Sequence, residues 1–155
     1  MIAVPGYLHI SHLNRKIDFD DSSANNNGGT ASVIKGKLKN PSDIKKFNVI
    51  EVAVKFLNSS VDQTRFHYET AIMSSLPDSP YIAKLLGYCE TPMAIIMPYY
   101  SLTMTSVFTE SKLGKEELAS KAALEIALGM ELLHDKGIVH FDLKPGKLDT
   151  WHGIL

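Results

Sequence analysis

The sequence predicts an α+β fold in which an antiparallel β-sheet with one helix comes first and further helices follow. Apolar and β-branched residues are dense in the runs 31–38, 49–57 and 93–97, which is typical of strands. From residue 115 to 136 the apolar residues recur at helical spacing. Strands that precede a long helix, rather than alternating with helices, favour the α+β class.

Composition indicates one ordinary globular domain. Of the 155 residues, 45% are hydrophobic and 21% are charged, and the net charge of −1 offers no basic footprint for nucleic acid. No apolar run approaches the roughly 20 residues that a membrane helix needs. The N-terminus lacks the features of a signal peptide. Because Cys89 is the single cysteine, no internal disulfide is possible, and a reducing cytoplasmic location is expected.

The first half of the chain predicts a hairpin of two strands. Residues 1–21 are interpreted as an N-terminal extension, and the polar stretch 21–30 as a flexible loop that holds Gly28 and Gly29. A strand leaves this glycine turn and runs over 31–38. Residues 39–48 are predicted to be a long turn into the next strand at 49–57.

A helix with a charged residue on its apolar face is predicted next, ending near residue 76 because proline follows. The carboxylate of Glu69 lies on this face, and an unpaired buried charge is costly. Lys55 is the obvious partner, since the alternative leaves Glu69 at the edge of the face and in water. The residues that share the face are Phe66, Glu69, Ile72 and Met73.

The second half predicts two more strands and then helices. Residues 79–89 are interpreted as a strand with its entry turn, and 93–97 as a buried strand. A short helix is expected within 101–114, followed by the long helix at 115–136. Gly137 is a natural left-handed cap at its end. The apolar positions of the long helix are Leu118, Ala122, Ile126, Met130 and Leu133.

The hexapeptide at 140–145, His-Phe-Asp-Leu-Lys-Pro, is the most informative motif in the chain. Asp142 precedes Lys144 by two residues, so a carboxylate could accept a proton from a hydroxyl while an ammonium neutralises a phosphate oxygen. Asp-x-Lys alone is common in proteins. The whole hexapeptide directly after the apolar run at 137–139 is much rarer.

An ordered series of motifs over residues 28–148 resembles the eukaryotic protein kinase superfamily. The series includes Val-Ala-Val-Lys at 52–55, a matching glutamate, a hinge, a long helix and the hexapeptide. The lysine of the hexapeptide favours the serine/threonine and tyrosine-kinase-like branches. The resemblance implies a kinase-like N-lobe at 22–98, then the hinge and an incomplete helical C-lobe at 99–155.

The resemblance also implies roles for individual residues. Asp142 would be the catalytic base, and Lys144 would neutralise the γ-phosphate. Lys55 and Glu69 would form the phosphate clamp. ATP is the implied cofactor, and a protein is the implied substrate or partner. The residues expected to bind the nucleotide, besides Lys55, are Gly28, Gly29, Val33, Ala53, the gatekeeper Met97 and the hinge residue Tyr99.

Several positions depart from the family pattern. Phe141 replaces an arginine that would pair with a phosphorylated activation segment, and Pro98 removes an amide donor from the hinge. Only Gly28 of the three loop glycines is kept. Lys147 replaces the asparagine that holds a magnesium ion, and no Asp-Phe-Gly segment follows. We therefore expect no metal site and negligible phosphoryl transfer by this chain, despite its ancestry.

Two other functions remain open from the sequence. The chain could be a pseudokinase fragment that acts as a protein-interaction module, with self-association through an exposed face of the long helix at Leu118, Ile126 and Leu133. An unrelated α+β binding domain is the other alternative.

Overall fold

The computed structural model of the protein describes residues 8–9, 13–20, 26–27, 31–58, 63–101, 104–110, 114–141 and 143. Within these residues the chain forms seven strands and five helices, which confirms the α+β class. The chain divides into two compact units. The first comprises residues 1–75 and 83–99, and the second comprises residues 76–82 and 100–155.

The first unit contains the sheet and three of the described helices. Its strands are β1 (Leu8–His9), β2 (Ile17–Phe19), β3 (Asn26–Asn27), β4 (Ala31–Leu38), β5 (Glu51–Leu57), β6 (Gly87–Glu90) and β7 (Met93–Pro98). Its helices are α1 (Leu13–Lys16), α2 (Pro41–Phe47) and α3 (Gln63–Ser75). The strands predicted over 31–38, 49–57 and 93–97 are therefore present, although the predicted strand at 79–89 is confined to its last part.

The sheet has the strand order β1-β6-β7-β5-β4-β2, and β3 also pairs with β4. Its strand pairs are antiparallel except for the two-residue pair of β1 with β6. Strand β5 lies at the centre, where Val33 of β4 is opposite Lys55 and Met97 of β7 is opposite Ala53. Residues directly opposite in an antiparallel pair project on the same face, so these four side chains share one face of the sheet.

The two faces of the sheet carry separate apolar clusters because successive side chains of a strand alternate between faces. Val52 and Val54 of β5 are fully buried on one face, while Ala53 and Lys55 point to the other. The cluster on the first face is Leu13, Ile17, Leu38, Val52, Val54, Leu86, Cys89, Ala94 and Ile96. The cluster beneath α3 on the second face is Phe66, Leu85, Tyr88 and Ile95.

The prediction of a long turn over residues 39–48 is wrong, because this segment holds α2. The Asn40 side chain accepts a hydrogen bond from the Ser42 amide at 3.0 Å and caps the helix. Pro41 occupies the first turn, where its missing N–H costs nothing. Asn48 ends the helix in the left-handed conformation, with φ of 54°. Asparagine followed by proline is favourable in turns, and the same pair is also favourable at the start of a helix.

Strands β2 and β3 occupy one edge of the sheet, in a region where the sequence predicts little structure. Phe19 pairs with Gly36 and Asn26 pairs with Val33. The chain thus advances seven positions (19 to 26) while β4 advances three (33 to 36). Strands of three and two residues are too short to show an alternation of apolar and polar side chains, and β3 itself contains only asparagine.

The second unit contains α4 (Met104–Glu110) and α5 (Lys115–His134), which confirms the predicted short and long helices. The prediction that α5 exposes its apolar face is wrong at its first turn. Leu118 is only 2% exposed because it packs with Val107 and the half-buried Phe108 of α4. Ile126 and Leu133 are half-buried rather than exposed.

Helix α5 is followed by a left-handed glycine cap, as the sequence predicts. Gly137 adopts a φ of +69°, which only glycine adopts without strain, and the Ile138 amide donates to the Leu133 carbonyl at 2.9 Å. Among the residues described, no helix combines the length and the apolar character that a bilayer crossing requires.

Candidate functional site

An ion pair between β5 and α3 is the centre of the candidate site. The ammonium nitrogen of Lys55 lies 2.5 Å from a carboxylate oxygen of Glu69. The two side chains are 29% and 32% exposed, so the pair is partly buried and partly accessible to solvent. The pairing predicted from their spacing of fourteen residues is present. A cation held in this way is available to an anionic ligand.

Burial of Phe66 fixes α3 and therefore Glu69. Phe66 is fully buried and meets the Tyr88 ring edge-on, with the ring centroids 6.3 Å apart. Glu69 follows Phe66 by three residues and so lies one helical turn further along the same side. The Thr70 hydroxyl donates to the Phe66 carbonyl at 3.0 Å and is buried beside it. The packing of Phe66 against the sheet therefore fixes the position of the Glu69 carboxylate.

The predicted apolar face of α3 is wrong at one position. Ile72 is 39% exposed, whereas Thr70 is buried and Met73 packs against the cluster beneath the helix. The buried stripe is thus at spacings of four and seven residues from Phe66. Six residues from Phe66, Ile72 has turned about 240° around the helix axis, at about 100° for each residue. The sequence favoured Ile72 for the buried face because isoleucine is apolar, whereas the structure buries the polar residue Thr70 there.

The sheet face beside the ion pair carries the small side chain of Ala53 and two larger apolar side chains, Val33 and Met97. Val33 lies opposite Lys55, and Ala53 lies between Lys35 of β4 and Met97 of β7 on this face. Because Ala53 has only a methyl group, a flat apolar ligand can approach the sheet most closely there. Val33 and Met97 are half-buried, so both still offer surface. The structure thus brings four of the predicted nucleotide-binding residues, Lys55 included, onto one face.

Pro98 does not interrupt the sheet. The Tyr99 amide donates to the Glu51 carbonyl at 3.1 Å, so Tyr99 and Glu51 form a hydrogen-bonded pair of the β5–β7 ladder. Hydrogen-bonded and non-hydrogen-bonded pairs alternate in such a ladder, which puts Pro98 and Val52 in a non-hydrogen-bonded pair. The N–H that proline lacks would therefore point away from β5. The amide donor that Pro98 removes from the hinge therefore costs no ladder hydrogen bond with β5.

A second ion pair borders the same face. Lys35 lies 2.8 Å from the Glu51 carboxylate, and its ammonium sits 4.3 Å from the centroid of the Tyr99 ring. The hydrogen bond to Glu51 raises the pKa of Lys35 above its ordinary value. The sequence did not predict this group because its three residues are distant along the chain and meet only through the register of β4, β5 and β7.

Several predicted site residues lie outside the described residues: Gly28, Gly29, Asp142, Lys144 and Lys147. Their roles therefore stay predictions. Their described neighbours His140 and Phe141 are exposed, and Phe141 is 95% exposed. The nucleotide-binding roles of the described residues also stay predictions, although their geometry is known.

Comparison with known proteins identifies the kind of domain. The profile of the protein tyrosine and serine/threonine kinase family matches residues 24–145. The chain is 40% identical over 96 residues to the tyrosine-protein kinase hopscotch of Drosophila melanogaster, a match that covers 60% of this chain and 8% of that protein. It is 34% identical over 130 residues to the rust resistance kinase Lr10 of Triticum aestivum, which covers 76% and 19%.

A third relative is a probable serine/threonine-protein kinase of Dictyostelium discoideum, which is 30% identical over 135 residues. That match covers 78% of this chain and 9% of the relative. The chain thus spans less than a fifth of the length of each of these three proteins. The similarity concerns one domain and includes kinases of both tyrosine and serine/threonine type.

Proposed function

The chain belongs to the protein tyrosine and serine/threonine kinase family, and we propose that it binds ATP on the sheet face of Val33, Ala53 and Lys55. The observation that carries this proposal is the ion pair of Lys55 with Glu69. In protein kinases a lysine of the third strand pairs with the α- and β-phosphates while a glutamate of the following helix holds it. The Lys55–Glu69 ion pair supports the same arrangement in this chain.

The residues fit the two chemical parts of a nucleotide. The small side chain of Ala53 suits a flat base, and the apolar residues Val33 and Met97 lie on the same face. Lys55 lies one position further along β5 on this face, where it can neutralise phosphate oxygens. ATP would supply the phosphates that this lysine recognises. Protein hydroxyl groups are the substrates that family membership suggests, and Lys144 favours serine or threonine.

The residues do not fit a magnesium ion equally well. Lys147 stands where the family carries a metal-binding asparagine, and a protonated amine offers no lone pair and repels a cation. We therefore propose that this chain binds nucleotide with little or no phosphoryl transfer, as a pseudokinase does. Asp142 would retain the position of the base without the metal that phosphoryl transfer relies on.

Calorimetric titration with ATP in the absence of magnesium tests the nucleotide site. We expect the parent chain to bind, and Lys55→Ala to bind about tenfold more weakly, a loss of ~1.4 kcal/mol, because the phosphates lose their cation. Adenosine, which has no phosphates, should lose much less affinity. Lys45→Ala is the matched control, since Lys45 is an exposed lysine of α2 in the same unit. An equal loss in Lys45→Ala, or no binding by the parent, would contradict the proposal.

A phosphorylation assay with radiolabelled ATP, magnesium and casein tests the proposed lack of catalysis. We expect the parent chain to incorporate no more radiolabelled phosphate into casein than casein incubated alone, because Lys147 replaces the metal-binding asparagine. Incorporation above this background that disappears in Asp142→Asn would show that the chain is an active kinase and would overturn the proposal. Such a result would leave the ATP-binding proposal intact.

A further inference from the structure

We propose that Lys35 and Glu51 are positioning residues for the nucleotide base, which they control by holding Tyr99. This inference rests on the proposed binding of ATP. Neither residue belongs to the arrangement of Lys55 and Glu69, and both lie at the opposite end of the candidate face. Their effect would fall on the base rather than on the phosphates.

Glu51 contacts Tyr99 in two ways, once directly and once through Lys35. Its main-chain carbonyl accepts the Tyr99 amide hydrogen bond at 3.1 Å. Its carboxylate pairs with Lys35 at 2.8 Å, and the Lys35 ammonium lies over the Tyr99 ring at 4.3 Å from the centroid. Tyr99 is thereby restrained at its main chain and at its ring. A cation over an aromatic face adds a directional attraction that fixes the ring orientation.

The restraint on Tyr99 extends to the residue before it. Since Tyr99 directs its amide towards β5, the alternation of the ladder directs the Pro98 carbonyl to the opposite edge. Gly87, the first residue of β6, pairs with Ile96, so Pro98 lies two residues past the end of the β6–β7 pairing. A carbonyl at such an edge can accept a hydrogen bond from an exocyclic amino group, which adenine possesses. Fixing Tyr99 fixes the direction of this acceptor.

Direct binding of phosphate by Lys35 is the competing explanation. Lys35 is opposite Ala53, whereas Lys55 is opposite Val33, so the two lysines are offset by two residues along β4 and β5. Two residues correspond to about 6.6 Å along a strand. The Lys35 ammonium is also engaged by Glu51, which leaves it less suited to a second anion. The two explanations differ in their dependence on the phosphates.

Titration of adenosine and of ATP against Lys35 variants separates these explanations. Lys35→Met keeps the length of the side chain and removes its charge. We expect it to weaken binding of both ligands by about fivefold, corresponding to ~1 kcal/mol, so that the ratio of the two affinities stays that of the parent. Lys35→Arg should retain both affinities, because a guanidinium pairs with a carboxylate and stacks on an aromatic ring.

A second variant covers the case in which Lys35→Met does not fold, as judged by its thermal unfolding. Glu51→Gln keeps the main-chain bond to Tyr99 and removes the charge that orients Lys35, and it should lower both affinities together. Unchanged adenosine affinity in the folded variants would overturn the positioning role and leave the ATP site standing. A loss of ATP affinity with unchanged adenosine affinity would show that Lys35 binds phosphate, and this result would also overturn the positioning role. A parent chain that binds neither ligand would overturn both the positioning role and the proposed function.

Discussion

Replacing Phe66 with alanine is expected to lower the free energy of unfolding by about 3–5 kcal/mol, the range for removing a buried aromatic ring. Phe66 is fully buried among Leu85, Tyr88 and Ile95, so the substitution leaves a cavity between α3 and the sheet. Urea titration followed by circular dichroism measures the change. Since α3 also carries Glu69, the same variant should also lose ATP affinity.

Tyr68→Ala is the control for this prediction. Tyr68 is on the same helix but is 68% exposed, so its loss should change the free energy of unfolding by about 0.5 kcal/mol or less. If Phe66→Ala and Tyr68→Ala unfold at the same urea concentration, the anchoring of α3 through Phe66 is refuted. The dependence of Glu69 on that anchor would then be refuted as well.

Gly36→Ala is expected to destabilise the first unit by up to about 3 kcal/mol, the upper range for overpacking. A Cβ atom at this position would lie 2.5 Å from Cγ2 of Ile17 and 2.9 Å from the Asp18 carbonyl oxygen. The second contact is with main chain and cannot be relieved by a rotamer change. Strand β2 must therefore move away from β4, and the fully buried Ile17 must move with it.

Gly114→Ser provides the comparison for Gly36→Ala. Nothing lies within 4 Å of an added Cβ at Gly114, which precedes α5 at its N-cap. Serine is favourable at that position, so this variant should be as stable as the parent or more stable. A Gly36→Ala protein whose urea midpoint matches that of the parent would show that β2 does not pack closely on β4.

The parts of the site that local sequence determines could be predicted. The strand with Lys55 was evident from its β-branched residues, and Glu69 stood out as a charge among apolar residues of a helix. Each of these signals depends only on near neighbours in the chain. Their spacing then matched a family pattern, which supplied the contact between them.

The parts that depend on register or on cap geometry could not be predicted in the same way. Lys35, Glu51 and Tyr99 meet because three strands pair in one register, which composition does not fix. Strands β2 and β3 have only three and two residues, too few for a recognisable alternation of apolar and polar side chains. The start of α2 at Asn40 was missed for a different reason, since asparagine followed by proline is favourable in turns and at helix starts alike.

Affinity labelling of lysines tests most directly whether Lys55 faces the phosphates of ATP. An acyl phosphate derivative of ATP transfers its acyl group to a nearby amine, which forms an amide and releases ATP. Mass spectrometry should find the acyl group on Lys55, excess ATP should suppress it, and Lys45 should show no such ATP-sensitive labelling. An unlabelled Lys55, or labelling that excess ATP does not reduce, would contradict the central claim that this lysine binds the phosphates of a nucleotide.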